Sequence, residues 1–225
     1  MEPTPLYLKQ RGFTVVELIV VIAIIVILTA VVLNGQKDFN RSLTITDSAY
    51  TIALSLREAQ TFGLSSRAVG AVNNAGYGAR FSTATPGSYL LFADLQQGQA
   101  QPAWCPATHA GLADDKPGNC LYDNASETVQ TFTFGRGFYI SKLCGHRFSQ
   151  PGTLLCSTDA SPLTSIDTVF LRPNTDSIIT GNLTGTGNVQ LIDANIVLSA
   201  PNGEGSRVVC VSYAGQISVA STTCP

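Results

Sequence analysis

Hydrophobic positions fall along this chain in three successive regimes. Residues 13–33 are apolar almost without interruption, a run of the length that spans a hydrocarbon core. From Ile45 onward, apolar or small residues recur at Ala49, Ile52, Ala53, Leu56, Ala59 and Gly63, in steps of three and four. That spacing draws one stripe along a helix, with Arg57, Glu58 and Gln60 on the other faces. From Arg67 the pattern changes to short alternating runs bounded by turn residues. Strands are predicted at Tyr77–Phe81, Ser88–Ala93, Thr128–Phe134, Phe138–Ser141, Thr168–Leu171, Gln190–Leu198, Arg207–Ser212 and Gln216–Ala220. The last two flank Tyr213-Ala214-Gly215 and read as a terminal hairpin. One long helix followed by a run of strands predicts an α+β protein whose amphipathic segment packs on an antiparallel head. Asn34-Gly35 and the Ser/Thr-rich stretch near Leu43 are weak helix formers, so fraying or a bend is expected there.

A single acid breaks the first regime. Glu17 lies near the start of the apolar run, where a carboxylate costs up to about 3 kcal/mol on insertion scales. An ordinary signal anchor has no use for it. A secretory signal peptide has a shorter apolar core and a small-x-small cleavage site, whereas Asn34-Gly35-Gln36-Lys37 follows this run. Lys9 and Arg11 immediately precede it, so the N-terminus is expected in the cytoplasm and the bulk of the chain on the other side.

Gly12-Phe13-Thr14-x-x-Glu17 followed by an unbroken apolar stretch closely resembles the leader of type IV pilins and type II secretion pseudopilins. The resemblance implies cleavage after Gly12 by a prepilin peptidase and N-methylation of the exposed Phe13. It also implies that Glu17 neutralises the terminal amine of a neighbouring subunit, a pairing that makes a buried acid tolerable. The chain then divides into a leader (1–12), a transmembrane helix (13–33), an amphipathic continuation (34–67) and an extracytoplasmic β-rich head (68–225). Implied partners are the peptidase, other major and minor pilins, and the inner-membrane assembly platform.

Composition refines the head. Charged residues are only 12% of the chain, and all six cysteines lie beyond residue 104. Outside the cytoplasm an even cysteine set points to disulfides. Six cysteines allow 15 connectivities; their grouping along the chain favours Cys105 with Cys120, Cys144 with Cys156, and Cys210 with Cys224. The insertion from Gln96 to Asn124 shows little periodicity and reads as a surface loop pinned by one bridge.

The stretch Leu54–Arg67, Tyr77-Gly78, Tyr89-x-x-Phe92-Ala-Asp94 and the closing Arg207–Val219 resemble minor pilins of the GspH/FimT type. That likeness implies a subunit that primes filament assembly at or near the tip. A major pilin of the filament body is one alternative. Another is a DNA-binding minor pilin, which carries arginines in its final hairpin; here Gln216 follows Gly215 and no arginine comes after it. The head has seven Lys/Arg against ten Asp/Glu, a net charge of −3, which argues against a nucleic-acid partner. Basic and aromatic residues do interleave between Arg136 and Phe148, as single-strand binding requires; core aromatics beside solvated cations are the simpler reading.

Enzyme signatures are absent: there is no G-x-S-x-G elbow, H-E-x-x-H or P-loop. Cys105-x-x-x-His109 and Cys144-x-His146 have the residue types of a zinc site, but oxidation competes for the same sulfurs. No cofactor is expected. Calcium is the one candidate ion, through Asp94, Asp114, Asp115, Asp123 and Glu127 around the long loop, although their spacing matches no EF-hand.

Overall fold

The computed structural model describes residues 12, 14–65, 67–70, 72, 74–95, 101–106, 118–201 and 205–224, with side chains described for all of these except 34–39 and 41. The chain divides into two units at Ser42/Leu43. One helix, α1, is assigned over Val15–Leu64, so the expected fray at Asn34-Gly35 is not seen. Its Ser and Thr residues are accommodated by back-bonding: the hydroxyls of Ser48, Thr51, Ser55 and Thr61 each donate to the carbonyl four residues earlier.

In the first unit, Val15–Leu33 is long and apolar enough to cross a membrane, and none of it is buried by the protein itself. An apolar surface of that length needs lipid or other helices around it.

In the second unit, eleven strands among the described residues form one antiparallel sheet. They are β1 (Gly76–Ser82), β2 (Ser88–Asp94), β3 (Thr128–Thr133), β4 (Tyr139–Arg147), β5 (Gln150–Cys156), β6 (Leu163–Phe170), β7 (Ser177–Leu183), β8 (Gly187–Leu191), β9 (Asp193–Ser199), β10 (Ser206–Ser212) and β11 (Ile217–Ala220). Their order is β11-β10-β9-β4-β8-β7-β6-β1-β2-β3, with β5 on β4. Only Arg147 and Leu191 join β4 to β8, so the sheet consists of two ladders hinged at one residue pair.

The predicted stripe is the part of α1 that packs. Ile45, Ala49, Ile52, Ala53, Leu56 and Ala59 are buried against Tyr77, Phe81, Leu91, Ile166, Ile196 and Val209 of the inner sheet face. Gly63 closes this contact: a Cβ there would overlap the Phe170 carbonyl of β6, so the helix end approaches the strand more closely than any larger residue permits. Ser55 and Tyr89 share a buried hydroxyl–hydroxyl bond of 2.9 Å beneath it.

Several strand expectations need correction. The run Gln190–Leu198 is two strands, because the buried positions slip phase across Ile192: Val189 and Leu191 point inward, then Ala194, Ile196 and Leu198. At the slip, the Ile192 amide donates to His146 and its carbonyl accepts from Tyr213. β7 runs through Gly181-Asn-Leu, which reads as a turn in sequence. β5 has no apolar face and is held by its pairing to β4 and by the Cys144–Cys156 bridge. β4 and β6 extend beyond their predicted cores because polar residues such as Lys142, Ser165 and Asp167 sit within them.

Candidate functional site

The amino end of α1 is capped by Thr14. Thr14 precedes the first helical residue, its hydroxyl accepts from the Glu17 amide at 3.3 Å, and its carbonyl accepts from Leu18. Glu17 therefore stands three residues into the helix, where the dipole favours negative charge. Its side chain is exposed, and among the described residues no cation lies against it. Gly12 is described and exposed; Phe13 lies outside the described residues. The T-x-x-E signature was present in the sequence as a second meaning of the same four residues.

The head is stapled by three disulfides, Cys105–Cys120, Cys144–Cys156 and Cys210–Cys224, the pairs that their grouping favours. The sulfurs of the imagined zinc ligands Cys105 and Cys144 are thereby consumed. His146 instead binds Asp193 through Nδ1 at 2.8 Å, and His109 lies outside the described residues.

Asp94, Asp123 and Glu127 around the long loop all accept hydrogen bonds from within the protein. Loop residues 101–106 and 118–122 cover the outer sheet face, forming a second apolar cluster of Phe92, Val169, Leu171, Cys105 and Cys120. A covering loop has no strand ladder for its amides, so it needs side-chain acceptors. Asp94 accepts from the Asn119 and Cys120 amides at 2.8 and 2.7 Å. Glu127 accepts from Leu95 and Asp123, and Asp123 accepts from the Asn119 side chain. Asp167 of β6 accepts from Tyr122 and from Arg80 of β1, whose Nη1 reaches both carboxylate oxygens at 2.8 and 3.0 Å. Burial pushes Asp94 up to about 8 against the pull of its two amide donors, and Asp167 up to about 6 against Arg80. Burial also raises Glu127. Among the described residues no group of three or more His, Cys, Asp or Glu is arranged to hold a metal ion; Asp114 and Asp115 lie outside them. The Arg80–Asp167 pair, 87 positions apart, carried no signal in the sequence.

The basic and aromatic stretch does not form one surface. Phe138 is buried in the core, Arg136 reaches Thr44 of α1, and His146 holds Asp193. Arg147 and Phe148 lie together at the edge of a cleft with Trp104.

Residues 7–33 match the family described as the prokaryotic N-terminal methylation motif. No curated protein and no solved structure matches the chain. That motif, the apolar N-terminal helix and the large antiparallel head together support a type IV pilin-like chain. The same features support a membrane-anchored pilin or pseudopilin. The motif implies processing by a prepilin peptidase and assembly with other pilins, and points to a structural rather than enzymatic subunit.

Proposed function

We propose that this protein is a minor pilin or pseudopilin that primes assembly of a type IV pilus or type II secretion pseudopilus. The leader ends at Gly12, Phe13 is the methylated N-terminus, and Glu17 is the counter-ion for a neighbour's terminal amine. The N-terminus faces the cytoplasm, the head lies outside the inner membrane, and the assembly platform extracts the mature chain.

The observation that carries this reading is the position of Glu17: in the first turn of a fully exposed apolar helix, with no cation against it among the described residues. A carboxylate so placed is costly in lipid until a second chain supplies the charge. Support for the GspH/FimT-type assignment comes from the segments that carry that resemblance, which touch one another in the head. Gln60 donates to the Gly215 carbonyl of the last hairpin at 3.2 Å, and Arg207 donates to Thr46 at 3.0 Å. Gly215 has φ 77°, and a Cβ there would press on Gln60 and the Thr175 carbonyl, so the hairpin docks on the helix only with glycine at its turn. An Arg207 occupied by α1 and a head of net charge −3 disfavour the DNA-binding alternative.

The test is Glu17→Ala, expressed with the prepilin peptidase and the other pilins of its system. It should be processed and inserted like the parent, yet be depleted from sheared filaments by at least about a hundredfold, since breaking a buried ion pair from one side costs about 3–5 kcal/mol. Incorporation equal to the parent would remove the counter-ion role.

A further inference from the structure

The cleft at Trp104 is assembled from three separate segments of the head. It is lined by Trp104, Arg147, Phe148, Ser149, Asn188, Val189 and Gln190, with a volume of about 180 Å³. Each wall follows from the fold. β8 alternates, so Val189 and Leu191 enter the core while Asn188 and Gln190 face outward. Arg147 ends β4 at its single pairing with Leu191, and the Phe148 amide donates to the Gln190 carbonyl at 2.9 Å, which places the β4–β5 turn beside β8. Trp104 comes from the covering loop. Its indole N–H donates to Thr180 of β7 at 3.1 Å, and Thr180 pairs with Gln190. The loop is fixed around it by the Cys105–Cys120 bridge and by the Gln101 amide on the Pro106 carbonyl.

The donors in this cleft are largely uncommitted. Among the described residues Arg147, Ser149 and Gln190 have no side-chain hydrogen bond or ion pair, and Asn188 uses only its carbonyl oxygen, toward Asn182. Phe148 is half exposed, at 49%. Among the described residues no carboxylate lines the cleft. The lining is thus two aromatic side chains, one unpaired guanidinium, two amides and a hydroxyl.

We propose that this cleft binds a saccharide carrying a carboxylate. A pyranose offers an apolar, weakly positive C–H face that suits the negative face of an aromatic ring. Its hydroxyls are donors and acceptors at once, which amide side chains match. Its carboxylate meets Arg147, whose planar fork takes that group through two hydrogen bonds. The volume is below the 300–1,000 Å³ typical of sites that enclose a whole drug-sized ligand, so it holds one ring of a longer glycan lying across an open cleft. Single-stranded nucleic acid is the competing class, since it also stacks and is anionic. It needs a cationic groove that tracks successive phosphates, and among the described residues this cleft has one cation, in a head of net charge −3.

Trp104 is the only tryptophan in the chain, so its fluorescence reports on the cleft alone. The full chain in detergent is titrated with trigalacturonate, with cellotriose and with an oligothymidylate, and binding is checked by calorimetry. Trigalacturonate should shift the emission and bind at least tenfold more tightly than cellotriose, the scale expected for a charge-assisted contact. Arg147→Gln should abolish that preference while the far-ultraviolet circular dichroism stays unchanged. Phe148→Ala, at an exposed position, should weaken both sugars. Equal binding of the two sugars, no response to trigalacturonate at millimolar concentrations, an Arg147→Gln variant that keeps the preference, or tighter binding of oligothymidylate would each overturn the proposal.

Discussion

Arg80→Met tests the ion pair that holds the covering loop to the sheet. Asp167 is buried, at 4% exposure, and Arg80 supplies both short contacts to it; once Arg80 is gone, only the Tyr122 amide at 3.3 Å remains. Breaking a buried pair from one side costs about 3–5 kcal/mol, because the charge left behind is uncompensated. The Arg80 side chain is 26% exposed, which argues for the low end, about 3 kcal/mol. For a domain of this size that lowers Tm by about 6–12 °C. The cost depends on pH with a definite sign. Asp167 is held up to about 6 by burial even with Arg80 in place, and losing the cation raises it further. At pH 5 the carboxyl is therefore neutral in the folded variant and leaves no buried charge; at pH 7.5 it must stay ionised or bind a proton from dilute solution. The destabilisation should be at least twice as large at pH 7.5 as at pH 5. Adding Asp167→Asn, which keeps an acceptor for Tyr122, should recover most of it at pH 7.5. Thermal unfolding of the full chain in detergent, followed by Trp104 emission, measures all three variants. A shift under about 2 °C at pH 7.5, or equal shifts at both pH values, would refute the reasoning.

Other outcomes follow from the same packing. Gly63→Ala should lose about 1–3 kcal/mol through overlap with the Phe170 carbonyl, although alanine favours the helix by about 1 kcal/mol; a neutral or stabilising result in chemical unfolding would show that the helix end can retreat. Asp94, Asp167 and Glu127 all bind protons more tightly folded than unfolded, so the stability they supply is present at low pH and is lost as pH rises from about 4 toward 8. Tm should accordingly fall between pH 5 and pH 8, and Asp94→Asn should flatten that fall; a Tm that climbs over this range would contradict the assigned burial.

What could be read in advance depended on the range of the interaction involved. The stripe from Ile45 to Ala59 was legible because its partner is a whole sheet face, indifferent to which strands make it. The Thr14 cap on the Glu17 amide is equally local, although Thr14 is not read as a cap from the sequence. The β8–β9 break was present as a phase slip between Leu191 and Ala194, but a continuous apolar run hides a slip of one residue. β5 could not be found by pattern, since nothing on it is buried before Leu155 and its order comes from β4 and a disulfide. The acids Asp94 and Glu127 illustrate a different limit. Which amides a carboxylate accepts from cannot be read along the chain, and the Asn119, Cys120 and Asp123 donors to Asp94 and Glu127 come into view only in the fold. The cleft at Trp104 needs residues from three distant segments, so neither its donors nor their freedom could be read along the chain.

The central claim is that the mature subunit of a type IV filament machine begins at Phe13. Intact-mass and N-terminal peptide spectra of the protein from membranes containing the prepilin peptidase test it most directly. The account predicts a chain beginning at Phe13 that carries one added methyl group on its amine, with Gly12→Glu leaving the leader in place. A chain that keeps residues 1–12, or one cut beyond Leu33 at the end of the apolar run, would contradict it.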